Sequence, residues 1–279
     1  MPELPEVETV CRHLQAMLPQ RRIVDVILRR ADLRYPIPVA AVHALKGATI
    51  TAVRRRAKYL LADLVAPGDP DRVLLVHLGM SGRLFVDPQA PDGWRKHEHW
   101  RMQLEPELWL RYVDPRRFGA LDVLERSQEG THPLLAKLGP EPLEDGFTPQ
   151  HLLAACAGRQ VALKLVLMDQ KTVVGIGNIY ASEALYRAHL HPQRPAQTLT
   201  LREAKALVAA SRSVLQEAIA AGGSTLRDFV GGDEAPGYFQ QRLDVYGRNG
   251  EPCNRCGTPI AHVVLGNRAT WFCPRCQKH

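Results

Sequence analysis

Apolar residues at Val7, Val10, Cys11, Leu14 and Leu18 recur at helical spacing, and Pro19 ends the pattern. The period then shortens. Residues 22–29 and 48–54 are rich in Val, Ile and Thr, 73–78 is an apolar run, and 99–104 and 108–113 flank Glu105-Pro106-Glu107. Several short strands behind one leading helix predict a β-sandwich or barrel. Beyond residue 150 the chain becomes Ala- and Leu-rich, and helices are expected near 150–157, 160–168, 178–188 and 201–221. Thr200 and Glu203 have the spacing of a capping box for the last helix, and Gly222-Gly223 stops it. Residues 263–265 and 269–272 read as a hairpin around a Gly266-Asn267-Arg268 turn. The expected fold class is α+β multidomain. A leading helix and β-sandwich fill 1–135, a linker spans 136–149, a helical domain covers 150–240, and a small β-hairpin module closes the chain at 241–279.

Composition narrows the partners more than the fold. The 279 residues are 45% hydrophobic and 23% charged, ordinary for a globular protein. No apolar run approaches the length of a membrane span, and the acidic N-terminus lacks a signal pattern, so an intracellular protein is expected. Lys and Arg exceed Asp and Glu by 36 − 29 = 7, which favours a polyanionic partner. No repeat of 20–50 residues stands out.

Four of the six cysteines form two Cys-x-x-Cys pairs, Cys253/Cys256 and Cys273/Cys276, separated by 16 residues. In an intracellular chain this spacing points to one structural Zn2+, with every coordination position filled by protein; an iron site or a redox pair is the alternative. Cys11 and Cys156 lie in apolar helical patterns and read as buried, inert thiols. The first eight residues, Met-Pro-Glu-Leu-Pro-Glu-Val-Glu, carry other chemistry. With Met1 removed, Pro2 is a secondary amine with a pKa of roughly 8, partly neutral at physiological pH and able to form an iminium on a sugar carbon. Glu3 and Glu6 could manage protons beside it. Against this, Pro5 could simply start a helix whose N-terminus the glutamates favour. Lys58 ends a basic run and either points into a cleft or sits on the surface. Met80 lies between two glycines at a loop tip, where a core methionine is not expected. Arg116, Arg117 and Phe118 share a turn: basic and aromatic groups suited to a nucleic acid, or a Phe plugging the core with arginines in solvent. Gly175-x-Gly177 before Asn178 could bring amides to a phosphate, or be a tight turn. Arg268 at the hairpin tip could reach a ligand or stay in solvent. The glycine-rich stretch 222–240 either closes over a ligand or is only flexible.

The ordered set of motifs resembles the bacterial formamidopyrimidine-DNA glycosylases over nearly the whole chain. It comprises the N-terminal Pro-Glu-Leu-Pro-Glu-Val-Glu, Arg-Arg-Ala-Lys-Tyr-Leu (55–60), His-Leu-Gly-Met-Ser-Gly (77–82), Lys96-His97, Asp-Pro-Arg-Arg-Phe-Gly (114–119), Gly-Asn-Ile-Tyr-Ala-Ser-Glu (177–183), Pro-Gly-Tyr-Phe (236–239) and the cysteine hairpin. The resemblance implies excision of oxidised purines, chiefly 8-oxoguanine and formamidopyrimidines, from double-stranded DNA, followed by cleavage at the abasic site. It implies Pro2 as nucleophile, Glu3 as acid/base, Lys58 as proton donor and phosphate contact, and Arg268 in phosphate binding and δ-elimination. Glu6 supports the site. Met80, Arg116 and Phe118 fill the gap left by the flipped nucleotide, and His97, Arg116, Arg159 and Asn178 contact DNA. Residues 150–222 resemble a helix–two-turn–helix module, and 230–236 the loop over the flipped base. The family often has lysine where this chain has Arg159, which keeps the charge and changes the geometry. A monomer without redox cofactor, working in the cytoplasm, is implied. Two rivals stand beside this reading: an endonuclease VIII-type enzyme acting on oxidised pyrimidines, and a zinc DNA-binding protein without chemistry.

Overall fold

The structure, a computed structural model, describes residues 2–223 and 243–278. The glycine-rich stretch from 224, with the 230–236 loop and Pro-Gly-Tyr-Phe, lies outside the described residues. The chain divides into two compact units, one built on the chain up to Ala136 and the other on Lys137–Ala221 with the C-terminal segment.

The first unit begins with α1 (Leu4–Met17), which buries Leu4, Val7, Val10, Cys11 and Leu14 along one face. That face lies on β2 (Thr49–Arg56) and β3 (Tyr59–Val65). With β4 (Arg72–His77) and β8 (Ala120–Glu125) these form an antiparallel sheet ordered β2-β3-β4-β8. The second antiparallel sheet is ordered β1-β6-β7-β5, from β1 (Ile23–Leu28), β5 (Arg83–Asp87), β6 (Glu98–Leu104) and β7 (Leu108–Val113). Two separate sheets with one shared core make this a β-sandwich and remove the barrel alternative. A short helix, α2 (Val39–His43), follows β1. In the core, the rings of Trp100 and Tyr112 stack 5.4 Å apart, both fully buried.

The sequence pattern did not mark β5 and β8, which are too short and too interrupted by charge to stand out from their flanking turns. The basic run is also not one strand. Arg54–Arg56 end β2, Ala57 takes a left-handed φ of 55°, and Arg56 pairs with Tyr59 across a two-residue turn. The arginines are held, not solvated. Arg54 bonds Asp63 and Glu129, and Arg55 bonds Glu8 of α1 at 2.7 Å and the Ala57 carbonyl at 3.0 Å. Burial raises the Glu8 carboxyl, but the Arg55 and Arg12 hydrogen bonds outweigh it and leave it below the usual carboxylate range.

The second unit holds α3 (Pro149–Cys156), α4 (Leu163–Leu167), α5 (Asn178–Arg187) and α6 (Leu201–Ala220). The Thr200–Glu203 capping box is present, and Gly222 and Gly223 follow with φ of 77° and 83°. The hairpin is β9 (Ala261–Leu265) with β10 (Arg268–Phe272), and β10 packs on α5. Within the segment expected as a linker, 136–149, the residues from Lys137 onward belong to this unit. Gly139 donates to Gln170 O at 2.8 Å, Arg212 reaches the carbonyls of Pro142 and Phe147, and Phe147 is fully buried. Cys11 and Cys156 are buried, and burial pushes each thiol up to about 11, so both stay protonated at neutral pH.

Candidate active-site tip and nucleic-acid interface

The helix-start reading of the N-terminus holds. Glu3 is the N-cap of α1, and Glu3 and Glu6 form a capping box; the Glu3 amide donates to Glu6 Oε2 at 2.8 Å. Helix capping is therefore what anchors the tip. Pro2 is buried, and Glu3 and Glu6 are only 3% and 2% exposed. Lys58 lies in the β2–β3 turn and is 7% exposed, which overturns the surface-lysine alternative. Arg55 braces this turn through Ala57 O and braces α1 through Glu8, so one arginine holds both the lysine turn and the helix.

His77, at the end of β4, lies against Tyr59 with ring centroids 4.9 Å apart, and its Nδ1 accepts the Gly79 amide at 3.0 Å. Burial, then the charges of Lys58 and Arg34, hold its pKa down at about 4, so it is neutral at physiological pH. The unfolded chain takes up a proton near 6.5 that the folded chain refuses. Stability from this group is complete above pH 6.5, falls as pH drops toward 4, and changes no further below that. The loss is up to about 3 kcal/mol. We expect urea midpoints of the wild type to fall between about pH 7.5 and 4.5 by more than those of His77→Gln, which keeps an acceptor but does not titrate. Equal pH slopes would contradict the assignment.

Three loops of the first unit present the other predicted residues. Met80 is half-buried, not fully exposed as its loop position suggested. Phe118 is 42% exposed with Arg116 stacked 4.9 Å from its ring, so the core-plug reading of Phe118 is wrong. His97 is exposed in a left-handed conformation, φ 63°. Sequence reasoning missed the Arg34–Tyr35 loop. Tyr35 is 45% exposed with Arg34 over its ring, and the Arg34 amide donates to Gly119 O at 3.1 Å, beside Phe118. Its signal was again an arginine next to an aromatic.

In the second unit, Gly175-Ile176-Gly177 is a tight turn that Gln170 wraps, accepting from the Gly175 amide at 2.9 Å and donating to Ile176 O at 3.2 Å. Asn178 opens α5, and its side chain is already engaged: its Oδ1 accepts Lys164 Nζ at 2.7 Å and its Nδ2 donates to Ala269 O at 2.9 Å. Lys164 is fully buried and also donates to Thr270 Oγ1 at 2.8 Å, so one ammonium clamps α4, the start of α5 and β10. A lysine among Leu163, Val166 and Leu167 was the readable sign of it. Glu183, fully buried, accepts the amides of Asp244, Val245 and Tyr246 at 2.9, 3.0 and 2.9 Å. Burial raises its pKa while these amides pull it down. Arg159 is exposed, 3.4 Å from Asp169. Arg268 is exposed too, but it is not part of the turn. Gly266 and Asn267 at φ 54° and 60° make a two-residue turn, and Arg268 opens β10 opposite Leu265. Consecutive left-handed residues match the twist of the flanking strands, so the turn closes one residue earlier than expected.

The four predicted metal cysteines converge. Their Sγ atoms lie within 4.8 Å of one another, with Cys253–Cys276 at 3.9 Å and Cys256–Cys273 at 3.5 Å. A tetrahedron with zinc–sulfur bonds of about 2.3 Å sets sulfurs roughly 3.8 Å apart, so the donors fit one zinc ion. Tyr186 of α5 approaches Cys253 Sγ with its hydroxyl at 3.3 Å, and Arg255 lies 4.4 Å over the Tyr186 ring, which ties the cluster to the helices.

A sandwich with a capped proline tip, and a helical unit with a four-cysteine hairpin that fits one zinc ion, define a two-unit protein of the zinc-finger class. Family models bear on which one. The formamidopyrimidine-DNA glycosylase N-terminal domain matches residues 1–121, its H2TH domain 138–230, and a zinc finger found in FPG and IleRS 250–278. The formamidopyrimidine-DNA glycosylase of Xanthomonas euvesicatoria pv. vesicatoria (strain 85-10) is 52% identical over 280 residues, covering 100% of both chains. The enzyme of that name from Methylococcus capsulatus is 50% identical over 279 residues, again covering 100% of both. Among solved structures, MutM (FPG) from Thermus thermophilus superposes with a TM-score of 0.87 at 40% identity, over 99% of this chain and 98% of that one. Lactococcus lactis Fpg bound to abasic-site DNA gives 0.90 at 31% identity, over 99% and 100%. The chain belongs to the formamidopyrimidine-DNA glycosylase family.

Proposed function

We infer that this chain is a base-excision-repair DNA glycosylase and abasic-site lyase that removes 8-oxoguanine and formamidopyrimidines from duplex DNA. The observation that carries the reading is the buried Pro2 tip, capped by Glu3 and Glu6, in a chain 52% identical to a formamidopyrimidine-DNA glycosylase over its whole length. Solved relatives hold DNA containing Fapy-dG, carbocyclic 8-oxo-G or an abasic site. A Lactococcus lactis relative at 32% identity holds DNA with an oxidised pyrimidine, which favours such bases as secondary substrates.

With Met1 removed, the Pro2 nitrogen attacks C1′ of a nucleotide flipped from the stack, at an unstacking cost of a few kcal/mol. The glycosidic bond breaks, and its electron pair leaves with the base, which takes up the proton that the Pro2 nitrogen loses. Glu3 protonates O4′ as the sugar opens, leaving an iminium between Pro2 and C1′. The iminium acidifies C2′. Loss of that proton expels the 3′-phosphate, and a second elimination expels the 5′-phosphate. Hydrolysis then returns the free amine. Glu6 holds Glu3 in place. Lys58 supplies a proton and a phosphate contact in the elimination. Met80, Arg116 and Phe118 enter the gap. His97, Arg116, Arg159 and Asn178 bind DNA, Asn178 through atoms not committed to Lys164 and Ala269. Arg268 binds phosphate and assists the second elimination. One zinc on Cys253, Cys256, Cys273 and Cys276 supplies folding only, and the steps as written need no redox cofactor. In this reading 1–135 is the β-sandwich catalytic domain, 136–149 the linker, 150–240 the helix–two-turn–helix domain and 241–279 the zinc finger, which adds Arg268 to the second elimination. No described helix is long and apolar enough to cross a membrane. The enzyme works as a monomer on cytoplasmic DNA.

The test is borohydride trapping on a duplex with 8-oxoguanine opposite cytosine. A crosslink mapped to Pro2, with strand cleavage when borohydride is omitted, is expected. Binding without crosslink or cleavage on this duplex and on an oxidised-pyrimidine duplex would favour the non-catalytic rival. Arg268→Gln should weaken binding about fivefold to tenfold and lower the salt slope by about one, the signature of one lost phosphate contact. An unchanged slope would remove Arg268 from the interface.

A further inference from the structure

Asp114 has no assigned part in the chemistry, yet it is fully buried at the junction of the three loops that carry Met80, His97 and Phe118. Its Oδ1 accepts the Ser81 hydroxyl at 2.7 Å and the Arg116 amide at 3.3 Å. Its Oδ2 accepts the Gly119 amide at 2.9 Å and the Tyr112 hydroxyl at 3.2 Å. The Ser81 oxygen takes the Arg116 amide as well, at 3.2 Å. The Asp114 main chain is also committed: its amide donates to His97 O at 2.9 Å, and its carbonyl meets His99 Nε2 at 2.8 Å. The side-chain partners are all donors, two hydroxyls and two amides, and together they fill both carboxylate oxygens.

The loops are also in van der Waals lock. Gly79, at φ 65°, has no room for a Cβ, which would stand 2.4 Å from the Phe118 carbonyl carbon. A Cβ on Gly119 would stand 1.7 Å from the Tyr112 hydroxyl. The Met80 loop and the 115–119 turn therefore pack backbone to backbone at Gly79.

We propose that Asp114 is the positioning residue of the gap-filling wedge. Its single carboxylate holds Met80, Arg116 and Phe118, with His97 through the main chain, in one preformed arrangement before DNA arrives. Asp114 touches no reacting atom. It acts by placing side chains that must hold a base pair open, so that their ordering is completed in folding and not charged against base extrusion. The proposal rests on the glycosylase reading above.

Substrates that differ in whether a base must be extruded separate this role from general structural damage. Asp114→Asn puts an NH2 donor where two donors now converge, so at least one contact turns repulsive. Single-turnover cleavage of the 8-oxoguanine duplex should fall about tenfold or more, the size of one lost charge-assisted hydrogen bond. Cleavage of a duplex with a preformed abasic site, which has no base to extrude, should change by less than about threefold. Ser81→Ala removes one arm of the cluster and should show the same selectivity at smaller size, and Ser81→Thr, which restores the hydroxyl, should recover. Equal losses on both substrates, or no loss on either, would overturn the proposal. Wild-type protein inert on both duplexes would remove the glycosylase reading and this inference with it.

Discussion

Protein that retains Met1 is expected to give no borohydride-trapped DNA and to cleave an 8-oxoguanine duplex at least about a thousandfold more slowly than protein that has lost it. The cause is local. With Met1 attached, the Pro2 nitrogen is a tertiary amide whose lone pair is delocalised into the carbonyl, so no iminium can form. The helix remains, because the Glu3–Glu6 capping box and the buried face of α1 do not involve Met1. Binding to an uncleavable abasic analogue should therefore change far less than turnover, and this separates a chemical loss from a folding one. Intact mass establishes the terminus, trapping establishes the covalent step, and anisotropy establishes binding. Cleavage by the Met1-retaining protein at the rate of the processed one would exclude Pro2 as the nucleophile and turn attention to Lys58, a buried amine of the same unit.

Removing the metal should come next in size. Strong chelation, or Cys273→Ser, is expected to raise the DNA dissociation constant on the order of 100-fold while leaving the β-sandwich folded. Metal binding supplies on the order of 10 kcal/mol to modules of this kind. What remains without it is a hairpin of two five-residue strands, marginal by itself in water. Once the hairpin loosens, Thr270 and the Ala269 carbonyl leave Lys164 and Asn178, and the buried ammonium loses a partner. The exposed Arg268 loses its fixed place at the start of β10. Loss of one or two charge-assisted contacts, each about 1.5–3 kcal/mol, accounts for the expected factor. A chromophoric chelator reports the zinc released, circular dichroism the folding, and anisotropy the binding. Metal-free protein with unchanged affinity would make the cluster dispensable and shift the interface onto the helices.

The partition of information follows from the range of each interaction. Period, caps and spacing are local, so α1, the capping box at Thr200 and Glu203, and the two Cys-x-x-Cys grips were readable from the chain. So was the placement of arginine beside an aromatic at 116–118. Two further features needed the fold. The partners of the arginines at 54 and 55 left no local mark, because Asp63, Glu129 and Glu8 approach only once strands and helix are assembled. The segment 136–149 showed no packing of its own in the sequence because its partners, Gln170 and Arg212, lie far along the chain, Gln170 being 31 residues beyond Gly139 (170 − 139).

By itself the sequence determined the family, the metal ligands and the chemical types at the tip. These depend on residue identity and short spacing, which survive without coordinates. The tertiary structure decided between two local readings at particular residues. Lys58 is buried and Phe118 exposed, the glutamates cap the helix that holds Pro2, and Asp114 joins three loops. Burial and long-range hydrogen bonding are properties of the assembled chain. A carboxylate that accepts from Ser81, 33 positions away, leaves no periodic trace for a sequence to show.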